Sequence, residues 1–273
     1  MQSHTPSTIE IRPRNRQHDI AESLSRDWLD NHAFKTAWMN AMSITFPLGE
    51  KFFIDSVRHF ADQVSDTKLQ EEIRGFCGQE GFHRREHERY NQALCAARGY
   101  DLAYLEGRLE KNIARASKIL SPLNRLALTV ALEHITAIMA EQTLIDGHHL
   151  LTQAEPPMRE LWSWHAAEEM EHKSVAFDVY KVVGGTEKMR KSALRQATFF
   201  LLVDVLIGVV HMLRRDGKLW NFQLWREGWN FLFAKDGILR LIWPAYREYF
   251  RDGFHPWQQD TRYLLESWEA AQV

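Results

Sequence analysis

The chain has little cysteine. Its 273 residues include only two, Cys77 and Cys95, and neither belongs to a Cys-x-x-Cys pair. Two isolated cysteines exclude a disulfide framework and a zinc–thiolate site, and they favour a reduced, cytoplasmic setting. The formal net charge is −2, so the chain also lacks the global basic field that nucleic-acid binding requires.

Long apolar runs are lacking as well. The N-terminal stretch 1–17 is polar and has no apolar segment typical of a signal peptide. The most apolar run, 197–213, is shorter than the about 20 residues of a membrane span, and it contains Asp204 and His211. We therefore expect a buried or interfacial helix there. The sequence contains no GxGxxG, P-loop or GxSxG motif.

Glycine and proline are sparse, with 14 and 8 residues, and no alternating strand pattern persists. Apolar residues recur instead at three- and four-residue spacing, which predicts long helices. The predicted helices cover about 32–64 (with Pro47 bending or restarting it), 67–98 ending near Gly99, 122–150, 157–183 and 187–215, with shorter pieces from 219 to 270. Residues 101–119 form a charged, helical connection.

That connection sets the topology. The first and second helices are joined by a short turn, and so are the third and fourth, whereas about twenty residues separate the second from the third. One long crossover is the ferritin-like arrangement. We therefore predict an all-α, ferritin-like four-helix bundle over 31–185. A loose N-terminal arm (1–30) precedes it, and a helical extension (186–273) packs on it.

Each bundle helix places acid or imidazole midway along an apolar seam. Glu50 interrupts such a seam on the first helix and Glu133 on the third. The second helix carries Glu-x-x-His, and so does the fourth within WHAAEEMEH (164–172). One glutamate from each of two helices and Glu-x-x-His from each of the other two is the ligand scheme of dinuclear carboxylate proteins. The predicted ligands are Glu50, Glu80, His83, Glu133, Glu169 and His172.

The alternative is a bundle with buried salt bridges, Glu80 with Arg84 and Glu169 with Lys173. Both cations lie off the seam, and this alternative leaves the histidines unexplained. Four buried carboxylates would repel one another unless a cation offsets their charge, so two divalent metal ions are the better explanation.

Further residues lie near this set. His165 is one helical turn before Glu169 on the same face, so it is either a seventh ligand or a hydrogen-bond partner of a ligating carboxylate. Others are expected to support a ligand or line a cavity, with plain core packing or a structural role as the alternative: His87, His134, Phe46, Phe53, Phe76 and Trp162. Glu168 and Glu171, off the seam, are expected at the surface or beside a ligand.

Four segments carry a resemblance to a known family. They are FPLGE (46–50), QEGFHRREHERYN (79–91), ALEHITA (131–137) and WHAAEEMEHKSVAFDVY (164–180). They resemble the bacterial family named "predicted metal-dependent hydrolase", over about 30–250, and this resemblance implies a ferritin-like fold and hydrolysis. More distantly, His165, Glu169 and His172 resemble the fourth-helix segment of di-iron arylamine N-oxygenases, in which the first histidine is an added iron ligand.

Carboxylate and imidazole ligands suit iron, manganese or zinc, and a carboxylate-rich pair in a helical bundle is typically di-iron or di-manganese. We expect iron, with manganese or zinc as the alternatives. Our first hypothesis is an O2-dependent oxidase or oxygenase that acts on a small or lipid-like organic substrate and takes electrons from a donor. The alternatives are a hydrolase that uses a metal-bound hydroxide, and an iron-handling, ferroxidase-like protein. The long segment past 187 argues against a minimal storage subunit.

The segment after 187 is rich in tryptophan and basic residues. It holds six of the ten tryptophans, interleaved with arginine and lysine. This composition suits peripheral contact with a membrane surface, and the alternatives are packing on the bundle or a homodimer interface.

Overall fold

A computed structural model describes residues 2–145 and 150–272. Within those residues the regular structure is helical, and the only strand-like pairing is one bridge between Leu29 and Ala154. The helices are α1 (Ala33–Arg58), α2 (Thr67–Arg98), α3 (Leu102–Ile119), α4 (Pro122–Leu144), α5 (Pro156–His172), α6 (Val175–Val182), α7 (Glu187–Arg215), α8 (Phe222–Phe233), α9 (Ile238–Glu248) and α10 (Arg262–Ala270). The all-α prediction is confirmed.

The bundle consists of two helix pairs. Helix α1 packs along α2 and α4 packs along α5, while α6 continues the course of α5 against α2 and α4. The connection 101–119 is helical as expected, because α3 carries the chain from the end of α2 to the start of α4. Helix α7 packs along both α1 and α4 on the outside of the bundle, α8 packs on α1, and α9 packs on α4.

Three predicted boundaries were wrong. Helix α1 ends at Arg58, not near 64, and a 3-10 turn (Ala61–Gln63) follows it. Helix α4 ends at Leu144 rather than near 150, and residues 146–149 lie outside the described residues. The predicted helix 157–183 is divided at Lys173 and Ser174.

The residues at the division of that helix make long-range contacts. The ammonium group of Lys173 is buried and donates to the backbone oxygen of Gln259 and to Thr261 Oγ1, each at 3.0 Å. Ser174 Oγ lies 3.0 Å from Thr5 Oγ1. All three partners are far away in sequence, so the helical periodicity of the segment gives no sign of them.

The N-terminal arm is packed rather than loose. Its residues lie against α2 closely enough that a Cβ on Gly75 would come 2.5 Å from the backbone oxygen of Ile11, and one on Gly78 would come 2.5 Å from Pro13 Cγ. Arg14 then binds Glu168 and Glu171 of α5. These two acids are therefore buried partners of the arm and not surface residues.

A glycine fixes the end of α2. Gly99 has φ 65°, in the left-handed region, and a Cβ there would meet open space. A side chain at this position is therefore unfavourable only because of the backbone conformation, and not because of a steric clash. We expect Gly99→Ala to lower the free energy of unfolding by about 1 kcal/mol. Gly107→Ala, inside α3 and also facing open space, should instead raise it by up to about 1 kcal/mol. Chemical denaturation measures both, and equal signs for the two variants would contradict this account.

Candidate metal centre

All seven predicted ligands lie together in the interior. They form two groups, one of Glu50, His83 and His165, and one of Glu80, Glu133, Glu169 and His172. In each group every residue offers one ligand atom, and these atoms all lie within 4.8 Å of one another. Every member is buried, with 4% exposure or less.

Glu169 joins the two groups. Its Oε1 lies 3.1 Å from His165 Nε2 and 3.7 Å from His83 Nδ1, which belong to the first group. Its Oε2 lies 3.6 Å from His172 Nε2 of the second group. The carboxylate therefore has one oxygen turned to each group, as a bridging ligand requires.

Many of the potential metal-ligand atoms in the two groups have no hydrogen-bond partner. Both carboxylate oxygens of Glu50, Glu80 and Glu133 are buried without a hydrogen bond from the described residues, and so is His172 Nε2. Buried polar atoms are normally paired, so a cluster of acceptors without hydrogen bonds could hold a cation between them. Oxygen and imidazole nitrogen at this spacing fit two divalent metal ions.

The pKa values of the four glutamates in the cluster show the effect of burial and of their mutual repulsion. Burial, and then the charges of neighbouring carboxylates, raise the pKa of Glu50 and of Glu133 well above the usual range, and they raise that of Glu80 to about 7. Burial also disfavours ionisation of Glu169, but His172 and His165 outweigh it and hold its pKa well below the usual range. Three of the four carboxyl groups of the cluster therefore resist ionisation, and a cation placed between them would favour their charged forms.

The two salt bridges of the alternative, Glu80 with Arg84 and Glu169 with Lys173, are not formed. Arg84 pairs with Glu88 one turn further along α2, at 2.8 Å. Lys173 donates to Gln259 and Thr261. Neither cation reaches the glutamate that it would have to neutralise.

A directional chain of hydrogen bonds begins at Pro47 and ends at His165. Helix α1 continues through Pro47, which has no N–H and leaves the carbonyl of Ser43 without its helical partner. Asn91 Nδ2 donates to that carbonyl at 3.0 Å, which turns Asn91 Oδ1 towards the Ser43 hydroxyl, 2.7 Å away. Since the Ser43 proton goes to Asn91, Ser43 Oγ must accept from His87 Nδ1, at 2.8 Å.

The chain then fixes the tautomer of His165. Burial holds the pKa of His87 well below the usual range, so its ring is neutral and its Nε2 accepts. The donor is His165 Nδ1, 2.9 Å away. In this tautomer the lone pair of His165 is on Nε2, which lies 3.1 Å from Glu169 Oε1 and close to Glu50, and a metal-ligating histidine is held in this way.

The other two histidines are held in similar ways. His172 Nδ1 lies 2.8 Å from Gln79 Oε1, whose amide is oriented by its donation to Glu171, so His172 Nε2 faces the second group. His83 Nε2 lies 3.1 Å from Glu168 Oε2, and Glu168 accepts from the backbone N–H of Arg14 at 2.9 Å. His83 Nδ1 is thereby turned towards Glu169.

A cavity of about 450 Å³ reaches this cluster. Glu50, His165 and Glu169 lie at its inner end, and its walls are mostly aliphatic and aromatic side chains of α1, α3, α4 and α7. Phe46 and Phe53 line it, as the sequence predicted. Phe46 also packs on His87 and His165, with ring centroids 4.8 and 4.9 Å apart.

The other aromatic residues near the cluster act as packing. Trp162 lies against His87 and Phe46, and Phe76 lies edge-on to His172 with a centroid distance of 5.0 Å. Neither lines the 450 Å³ cavity. Both therefore follow the core-packing alternative, while holding imidazole rings in place.

His134 does not support the cluster. Its ring packs on Tyr249 and Phe254 of the C-terminal segment, with centroids 4.6 and 5.3 Å apart. It lines a separate cavity of about 670 Å³ together with Lys173, and none of the seven predicted ligands lines that cavity. Burial lowers the pKa of His134 to about 3, so it is a neutral core histidine.

A third group of potential ligands, His4, Asp178 and His255, is better explained by hydrogen bonds. Asp178 Oδ1 lies 3.0 Å from His4 Nδ1 and 3.0 Å from His255 Nε2. His255 Nδ1 accepts from the backbone N–H of Trp257, so its proton must sit on Nε2 and point at Asp178. A metal at Nε2 would need that proton removed.

Sequence reasoning missed the residues that orient the histidines. Gln79 directly precedes Glu80, and Asn91 lies one turn beyond His87, yet polar residues on a helix of this composition are too common to stand out. The one usable signal was Pro47 within a long helical pattern, because the carbonyl four residues earlier must find another donor.

The comparisons with known proteins gave one match. The family model of the predicted metal-dependent hydrolases matches residues 12–260. No curated protein and no solved structure matches the chain. The match covers most of the sequence and includes all seven residues of the cluster, so the chain belongs to the family of predicted metal-dependent hydrolases.

Proposed function

We propose that Glu50, Glu80, His83, Glu133, His165, Glu169 and His172 hold two divalent metal ions and that the centre hydrolyses a substrate bound in the adjoining cavity. The observation that carries this proposal is the pair of buried groups whose ligand atoms lie within 4.8 Å of one another and largely lack hydrogen-bond partners. The family description favours hydrolysis over oxidation.

The residues around the cluster have different roles according to their position. A bound metal pair would polarise a substrate oxygen and acidify a water molecule. Glu50, His165 and Glu169 form the boundary between the cluster and the cavity, so the scissile group must be presented to them. The apolar walls exclude bulk water and orient the rest of the substrate. Ser43, His87 and Asn91 keep His165 in the tautomer that leaves Nε2 free.

The test is metal analysis of protein purified without added metal or chelator, followed by assays with chromogenic esters of increasing acyl length. Two zinc or manganese ions per chain, with ester hydrolysis that a chelator abolishes and metal restores, would support the proposal. Absence of bound metal, with none taken up on reconstitution, would overturn it.

Oxidation with O2 is the second candidate. The observation that favours it is the carboxylate-rich set inside a helical bundle, which is typical of di-iron proteins. Two irons per chain, O2 uptake after reduction and no ester hydrolysis would favour this reading over hydrolysis.

The orienting residues yield a prediction specific to each group. We expect His87→Ala to lower the affinity for the metal ion at Glu50, His83 and His165 by about ten- to a hundredfold, because His165 loses the acceptor that fixes its tautomer. Gln79→Leu should lower the affinity for the ion near His172 by a similar factor. Competition with a coloured chelator measures both affinities. If either variant lowered the affinity for both ions equally, the assignment of His87 and Gln79 to separate groups would be wrong.

A further inference from the structure

The outward face of α7 is apolar and uncovered. Phe199, Phe200, Leu202 and Leu206 are 62%, 47%, 38% and 48% exposed. Helix α7 is the one helix in the described part of the chain that is long and apolar enough to cross a membrane, but only 33% of its most apolar stretch is buried. Its other face packs along α1 and α4, so α7 lies on the bundle with an apolar surface turned outwards.

Basic residues border this face. Lys191, which is paired with Asp252, and Arg195 lie at its N-terminal side, and Arg214 and Arg215 end the helix. Asp204, the one acid within the apolar run, is paired with Arg108 of α3 at 2.6 Å. That pair turns a stripe of α3 towards α7, and the other members of the stripe have no ion pair among residues 2–145 and 150–272: Lys111, Arg115 and Lys118.

Aromatic residues extend the face sideways. Tyr246 of α9 lies 3.0 Å from Thr198 of α7 through its hydroxyl group. Trp243 stacks on Tyr246 with a centroid distance of 5.6 Å and is 54% exposed. A tryptophan at the edge of an apolar surface with basic neighbours suits the boundary between lipid and water.

The cavity that ends at the metal centre begins beside this face. Phe200 and Leu201 of α7 line it, and so do Arg115 and Ile119 of α3. Ile119 is 66% exposed, so the cavity wall continues into the protein surface. A passage with apolar walls therefore connects the outward face of α7 with Glu50, His165 and Glu169.

We propose that the outward face of α7 docks on an anionic lipid bilayer and that the cavity receives an apolar chain of a bilayer lipid. A second copy of the chain fits this face less well, because a symmetric contact would bring two basic borders together. Anionic headgroups match those same borders. The docking itself depends only on the surface, whereas the role of the lipid as substrate rests on the proposed function.

The test is sedimentation of the full chain with vesicles of phosphatidylcholine, with and without phosphatidylglycerol. We expect binding to the anionic vesicles that weakens as salt is raised. Each of Lys111→Gln and Lys118→Gln should weaken it about fivefold. Phe199→Gln with Leu206→Gln should abolish it, since both side chains are exposed and the fold does not depend on them. Arg74→Gln, which removes an exposed charge from α2, is the control and should leave binding unchanged.

The outcomes separate this inference from the metal centre. Absence of sedimentation with anionic vesicles, by protein that holds two metal ions, would overturn the docking and leave the proposed function intact. A dimer that Phe199→Gln dissociates would show that the face is a subunit interface, which also overturns it. Retained vesicle binding by protein that takes up no metal would instead overturn the proposed function alone. Displacement of a fluorescent polyene fatty acid from the cavity by vesicle lipid would support the second half of the inference.

Discussion

Glu169→Ala is expected to release both metal ions, whereas His165→Ala is expected to release one. Glu169 turns one oxygen to each of the two groups, so its removal takes a ligand from both. His165 belongs to the first group only. Metal content per chain should therefore fall from two towards none in the first variant and towards one in the second.

Controls for this prediction are available on the same helix. Glu160→Ala removes an exposed carboxylate from α5 and should keep both ions. Glu169→Gln preserves the shape of the side chain. Loss of metal in that variant would therefore result from the missing negative charge and not from rearrangement of the core. Circular dichroism should show a folded helical protein throughout. If Glu169→Ala kept one firmly bound ion, the carboxylate would not bridge the two groups.

The residues that form the candidate metal centre could be chosen from the sequence because burying an ionised group is costly. A glutamate in the middle of an apolar helical seam, such as Glu50 or Glu133, is unexplained unless something offsets its charge. Helical geometry then determines which residues share a face, and this brought His165, Glu169 and His172 together in advance. The same argument fails for Glu168, which lies off the seam and is nevertheless buried, because its partner Arg14 is 154 residues away in the chain.

The arm and the interrupted helix were missed for a related reason. Residues 1–25 are polar and carry no periodicity, so nothing local indicates that Ile11 and Pro13 lie against glycines of α2. The division at Lys173 likewise coincides with contacts to Gln259 and Thr261, which lie far away in the chain. Local sequence specifies which stretches are helical, whereas contacts between distant segments decide where those helices are broken or covered.

The cavity beside the cluster was also only partly predictable. Phe46 and Phe53 lie on the seam near a ligand, and both line the cavity. Its outer part is formed by α3 and α7, whose position against the bundle the sequence does not determine. Periodicity shows that a helix has an apolar face, but not that part of this face is separated from the neighbouring helix by a space.

Gly49 offers the sharpest test of that cavity. It lies inside α1 next to Glu50 and lines the cavity, and a Cβ there would come 3.8 Å from Phe53 Cζ, an ordinary contact. A glycine inside a helix costs about 0.5–1 kcal/mol relative to alanine. Because packing does not require glycine here, we infer that the missing side chain keeps the inner end of the cavity open.

Filling this space should separate substrate access from metal binding. Gly49→Ala is expected to keep activity and to raise the free energy of unfolding by up to about 1 kcal/mol. Gly49→Phe should retain two metal ions, yet lower the rate of hydrolysis of a long-chain chromogenic ester on the order of a hundredfold, since the scissile group can no longer lie at Glu50 and Glu169. Steady-state kinetics and metal analysis on the same samples measure both properties. Full activity in Gly49→Phe would mean that the substrate reaches the metal ions by another route, and the apolar passage to α7 would lose its role in catalysis.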